Sequence, residues 1–231
     1  MEESRRNERE RGAADLGGKV LIMTAVDVER DAVLRGLGGE RAGFDVLLAG
    51  VGPASAAART SMALAGGRYR LVVSAGIGGG FTGKAEIGSL VVAKTIVAAD
   101  LGAETPDGFL RVDELGFGSS VERVDGAAAM KLTEALRQAG LPAQLGAVLT
   151  VSAATGTAET AADRAERIPD AAAEAMEGYG VAVAASLAGL PVLELRAISN
   201  AVGPRDRGAW KIKEALDALE AAGKVLAEVF K

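Results

Sequence analysis

The stretch Tyr69-Arg-Leu-Val-Val-Ser-Ala-Gly-Ile-Gly-Gly-Gly-Phe81 decides the fold. Its first half is an apolar run of buried-strand type, and its second half is a cluster of glycines. Glycines closing a strand bring bare backbone close to a ligand or simply permit a tight turn. A dinucleotide fingerprint needs glycines at its first, third and sixth positions; counted from Gly76, the sixth is Phe81 and no helix follows directly. No Gly-Lys-Ser/Thr follows either, so a triphosphate loop is excluded. The ligand and the place of Ile77 must be sought in the rest of the chain.

Working outward, strands and helices alternate. KVLIMTA (19–25), FDVLLAGVG (44–52), YRLVVSAG (69–76), SLVVAKTIVAAD (89–100), a run near 145–152 and PVLELRAIS (191–199) read as strands. Between them, helical patterns cover the residues after Val28, Pro53 to about Ala65, 125–139, 158–167, Glu177 to Ala188 and 209–230. Residues 101–118 read as a loop, with turn signals at Pro106-Asp107-Gly108. The alternation predicts an α/β protein with a mixed, largely parallel central sheet flanked by helices on both faces. Residues 1–17, rich in both charges and without an apolar core, read as a flexible tail ahead of one domain over 18–231. In such sheets ligands sit beyond the carboxyl ends of strands, which directs attention to Val26–Glu29, Gly50–Gly52, Gly76–Gly80, Ser152–Thr157 and Ser199–Asn200.

Composition narrows the chemistry. The 231 residues are 49% apolar and only 3% aromatic, with a formal net charge of −5. A nucleic-acid partner is not expected, because it calls for a basic face and stacking platforms. The longest apolar run, Tyr179 to Leu193, is interrupted by Pro191 and too short to span a bilayer, so a cytoplasmic protein is expected. There is no cysteine and no histidine, which removes thiolate nucleophiles, imidazole proton shuttles and zinc sites built on either. Acid–base work falls to carboxylates, Lys, Tyr, backbone or water; no metal and no cofactor are expected.

Met176-Glu177-Gly178 opens a helix, and the strand at 191–199 ends RAISNAVG. Together with SAGIGGGF and the acidic turn TAVDVERD after the first strand, these resemble the purine nucleoside phosphorylase and nucleosidase family, over about residues 19–230. The resemblance implies the single-domain nucleoside phosphorylase-like fold, a purine nucleoside as substrate and a homo-oligomer. VSAATGT (151–157), AADLGAETPDGFLRVDELGFG (98–118) and RAISNAVGPRDRGAW (196–210) narrow it to a branch that hydrolyses a hypoxanthine nucleoside. Phosphate-using members carry serine where this chain has Ile77 and arginine where it has Ser74, so water rather than phosphate is the expected nucleophile.

The same resemblance assigns roles. Glu29 matches the water-activating glutamate, with Asp27 and Asp31 as neighbouring substitutes; as a lone acid it would read as an exposed helix start. Glu177 would hold the ribose hydroxyls with Met176 against the sugar; alone it would read as a helix-start acid favoured by the dipole. Gly76, Ile77 and Gly79 would line the ribose site. Thr155, Gly156 and Thr157 would meet the purine edge, and Asn200 would face its 6-position. Arg205 and Arg207 are either a charged turn or contacts for the non-nucleoside end of the substrate. The alternatives are an adenosine-type thionucleoside hydrolase and a catalytically silent nucleoside-binding protein.

Overall fold

KVLIMT forms β1 (Lys19–Thr24), and its alternate residues face opposite ways into two cores. Val20 and Ile22 enter one cluster, Leu21 and Met23 another, and all four are buried. That is the signature of a strand covered on both faces. The computed structural model describes residues 17–231; the expected tail, Gly17 apart, lies outside the described residues. After β1 come α1 (Asp27–Leu37), β2 (Phe44–Leu48), α2 (Pro53–Gly66), β3 (Tyr69–Gly80) and β4 (Leu90–Ala98). They are followed by β5 (Gly102–Thr105), β6 (Gly108–Arg111), β7 (Val121–Arg123), α3 (Gly126–Gln138) and β8 (Ala143–Thr150). The chain ends with α4 (Ala158–Arg167), β9 (Ala171–Ala175), α5 (Gly178–Leu187), β10 (Val192–Ala201) and α6 (Ile212–Val229).

The main sheet runs β10-β4-β8-β9-β3-β1-β2, and β10 also pairs with β3. Strands β3, β10, β4, β8 and β9 therefore close on themselves, and β1 and β2 extend the sheet from β3. Pairings β1–β2, β1–β3, β3–β10, β4–β8 and β8–β9 are parallel; β3–β9, β4–β10 and β4–β7 are antiparallel. The expected mixed α/β sheet is what the chain forms. Helices α1, α3 and α6 pack Val33, Leu132, Leu136, Leu219 and Leu226 into one core. On the opposite face α2 and α5 contribute Ala56, Val181, Ala182 and Ala185.

Two local expectations are corrected. Residues 101–118 are not all loop: β5 and β6 pair as a hairpin across Thr105 to Gly108. The strand expected over 69–76 likewise runs further, since β3 continues through Gly80. Its glycine backbone is taken up by β10 from Gly76 to Gly80 and by β9 at Gly79 and Gly80, so hydrogen-bonding neighbours on both sides keep it extended.

Candidate active site

A cavity of about 350 Å³ opens where these strand ends converge. Its lining comes from after β1 (Ala25, Val26, Glu29), after β2 (Val51), from β3 (Ile77–Gly79) and from after β8 (Ala154, Thr155). The remaining wall is Glu174–Glu177 and Asn200–Arg205 with Trp210. Seven of the expected residues, Glu29, Ile77, Gly79, Thr155, Met176, Glu177 and Asn200, line this one space.

Glu29 lies in the first turn of α1, and its side chain folds back under the end of β1. Oε2 accepts from the N–H groups of Ala25 (2.9 Å) and Val26 (3.3 Å), and Oε1 from that of Ile77 (2.9 Å). It is 3% exposed. Burial raises its carboxyl pKa above the ordinary value, against the lowering pull of the Arg196 charge and the Ile77 N–H; the Glu177 charge adds to the rise. Asp27 and Asp31 instead stand outward on α1 and pair with Arg30 at 2.8 and 3.0 Å, so neither lines the cavity.

Glu177 immediately precedes α5 and is buried. Its Oε1 accepts from Gly52 N–H and its Oε2 from Met176 N–H, both at 3.3 Å. Arg196 on β10 approaches the same Oε2 with Nη1 at 3.4 Å, donates from Nη2 to Ser74 Oγ (2.8 Å) and from Nε to Glu194 Oε1 (2.8 Å). Burial works against the Arg196 charge, but Glu194, Glu177 and Glu29 together hold its pKa above the ordinary value. Gly76 makes this cluster possible: a Cβ there would stand 2.6 Å from Glu29 Oε1 and 2.7 Å from Arg196 Nη1. Gly76 thus stands behind the cavity wall rather than in its lining. Ser74 is buried beside Arg196 and does not face the cavity.

At the other wall Thr155 is anchored to β9. Its N–H donates to Glu174 Oε1 (2.8 Å), its hydroxyl to Oε2, and Arg164 of α4 pairs with the same Oε2 at 2.6 Å. Gly156 and Thr157 lie outside the lining. Thr157 is the N-cap of α4 and its hydroxyl oxygen accepts from Thr160 N–H, so that oxygen serves the helix. Gly156 offers its carbonyl to Arg205 N–H (3.2 Å). Asn200 Oδ1 accepts from Ser199 Oγ (2.8 Å) and Nδ2 donates to Ala201 O (2.9 Å). At the rim, the guanidinium groups of Arg205 and Arg207 lie 5.2 and 5.8 Å from the Trp210 ring centre.

Sequence reasoning missed Arg196, Glu194, Glu174 and Arg164. The signal for the first two was present: a glutamate and an arginine two apart inside the apolar strand LELRAIS share one face, and charges inside such a strand are seldom buried unless paired. Among the described residues no cluster of acids suits a metal ion, and no helix is long and apolar enough to cross a membrane.

The sequence matches the Phosphorylase superfamily over residues 40–231. It is 54% identical over 226 residues to futalosine hydrolase of Streptomyces coelicolor, covering 89% of this chain and 94% of that protein. To futalosine hydrolase of Acidothermus cellulolyticus it is 49% identical over 216 residues, covering 88% of each. Among solved structures, the 5′-methylthioadenosine/S-adenosylhomocysteine nucleosidase of Neisseria meningitidis, in complex with methylthio-immucillin-A, superposes with a TM-score of 0.76 at 17% identity, covering 92% of this chain and 98% of that one. The S-adenosylhomocysteine nucleosidase of Streptococcus pyogenes superposes with a TM-score of 0.77 at 18% identity, covering 94% and 97%. These two likenesses carry the fold; the higher identities carry the family. The chain belongs to the phosphorylase superfamily and, within it, to the futalosine hydrolase family.

Proposed function

We propose that this protein hydrolyses the N-glycosidic bond of futalosine, releasing hypoxanthine and dehypoxanthine futalosine, a step of the futalosine route of menaquinone biosynthesis. The observation that carries the choice of water is the surroundings of Glu29. The guanidinium beside it is already engaged by Glu194, Glu177 and Ser74, so a phosphate dianion at this end of the cavity would face two carboxylates beside a cation that is already taken. Water needs only a base. Glu29 takes its proton as oxygen bonds to the anomeric carbon, and the bond from that carbon to the purine nitrogen breaks with its electron pair leaving on the base. Glu177 accepts from the ribose 2′- and 3′-hydroxyls with Met176 against the ring, and its negative charge favours the cationic sugar of the transition state. Asn200 donates to the hypoxanthine edge beside Thr155, and the base draws its proton from solvent. Arg205 and Arg207 at the rim suit the carboxylate at the non-nucleoside end. The protein acts as a homo-oligomer; light scattering at micromolar concentration that finds a fully active monomer would contradict this.

Incubation with futalosine, methylthioadenosine and inosine, each with and without phosphate, tests the reading by chromatography of the products. Hypoxanthine from futalosine at a rate independent of phosphate is expected. Adenine from methylthioadenosine alone would favour a thionucleoside hydrolase, a sugar 1-phosphate would make the enzyme a phosphorylase, and no turnover would leave only a binding protein.

A further inference from the structure

Glu194 is fully buried on β10, and no step above uses it. Its Oε1 receives Arg196 Nε, while its Oε2 has no hydrogen-bond partner among the described residues. A buried carboxyl with an orphan oxygen is costly unless something else requires it. The chain also makes room for it: a Cβ on Gly178, the first residue of α5, would stand 2.2 Å from Oε2 and 2.3 Å from Oε1. The β3–β10 register sets Glu194 beside Ser74 and Arg196 beside Gly76, so the guanidinium leans through the glycine gap toward Glu29 while its Nε stays turned to Glu194.

The titratable groups facing Arg196 are Glu194 on its own strand, Glu177 ahead of α5 and Glu29 from α1; β3 adds only the Ser74 hydroxyl. The Tyr179 hydroxyl of α5 is turned away, toward Ser119 O. We propose that Glu194 is a positioning residue: it grips Arg196 from behind and balances its charge, fixing the guanidinium edge that meets Glu177 and Glu29. Without that balance an uncompensated guanidinium would weaken Glu29 as a base. Burial pushes the Glu194 carboxyl itself up to about 7, against the pull of Arg196 and with Glu177 adding to the rise, so its charge is fully present only above neutrality. The inference rests on Glu29 acting as the base of a hydrolase.

Two variants separate charge from reach. Glu194→Gln keeps an acceptor for Nε and loses the charge; Glu194→Asp keeps the charge and withdraws the acceptor by one methylene. Both are assayed for kcat and KM across the acid and neutral range, with thermal melting to confirm folding. In Glu194→Gln kcat/KM above pH 7 should fall about 3-fold or more, because Glu29 now meets an unbalanced cation, and the deficit should narrow as pH falls through about 7, where the wild-type Glu194 carboxyl takes up a proton of its own. In Glu194→Asp, which keeps the charge, the acidic limb of kcat/KM should stay in place while kcat falls about 10- to 100-fold, the range for a lost charge-assisted hydrogen bond. No pH-dependent deficit in the first variant, or full kcat in the second, would overturn the proposal and leave Glu194 as packing. Wild-type protein is scored first on the three nucleosides. If it cleaves one other than futalosine, the substrate reading alone fails, and the variants are compared on the nucleoside it does cleave.

Discussion

Glu29→Gln is the sharpest test of the site because the structure fixes what the substitution changes. The carboxylate accepts three backbone N–H groups, two on Oε2 and one on Oε1. An amide has a single acceptor oxygen, and its better orientation keeps that oxygen on Ala25 and Val26. The amide NH2 then faces Ile77 N–H, donor against donor, and one buried hydrogen bond is lost at a cost of about 1–3 kcal/mol. Removal of a buried charge offsets part of this, since burial already raises the Glu29 pKa. The variant should therefore fold and melt within a few degrees of wild type. It cannot accept a proton from water, so kcat should fall by roughly 10²–10⁴. Wild-type kcat/KM should rise as pH climbs through the raised Glu29 pKa, above the ordinary carboxylate range, because only the ionised form is a base. That limb should vanish from whatever activity remains in the variant. Hypoxanthine release followed by chromatography, with circular dichroism on the same samples, measures both. A folded variant turning over near the wild-type rate would refute the assignment, and the exposed Asp27 and Asp31 would offer no ready substitute.

Asn200→Asp should cut cleavage of the hypoxanthine nucleoside by at least ~10-fold, since a carboxylate opposes the acceptor atoms O6 and N7 of the base. An unchanged preference between 6-oxo and 6-amino substrates, read from kcat/KM, would move purine selection to the backbone at 154–155. Arg164→Met should cost about 3–5 kcal/mol in urea unfolding, because it strips a buried carboxylate of its cation. It should also raise KM by loosening Thr155; unchanged stability would mean that Thr155 alone satisfies Glu174. Arg205→Ser combined with Arg207→Ser should raise KM for futalosine about 10-fold or more and leave that for inosine unaltered, as expected for lost charge-assisted contacts to a carboxylate. Equal effects on both nucleosides would make the pair a structural turn.

Much of this protein is legible in one dimension. The apolar run of β1 and the period of α6 declare their elements, because burial on two faces and on one stripe leave different spacings. Glu29, Met176, Glu177 and Asn200 could be named because each stands beside a strand end carrying a recognisable motif. The sequence Ala171–Ala175 gives no such sign: alanine favours helix in isolation, and it becomes β9 only because β8 and β3 supply partners. The strand before the glycines reads as ending at Gly76 until β10 and β9 claim the backbone beyond it. Thr157 looks like a ligand donor until the first turn of α4 takes its hydroxyl oxygen.

The sequence by itself therefore determined the α/β class and brought forward Glu29 and Glu177 as candidate acids. It also determined the absence of histidine and cysteine, which leaves acid–base work to carboxylates, Lys, Tyr, backbone or water. Only the tertiary structure decided that Glu29, Glu177 and Glu194, from α1, the β9–α5 junction and β10, surround one guanidinium on Arg196. The physical reason is that charge interacts through space and not along the chain. Pairing of β3 with β10 sets Gly76 beside Arg196, and the missing Cβ lets acids far apart in sequence share that cation.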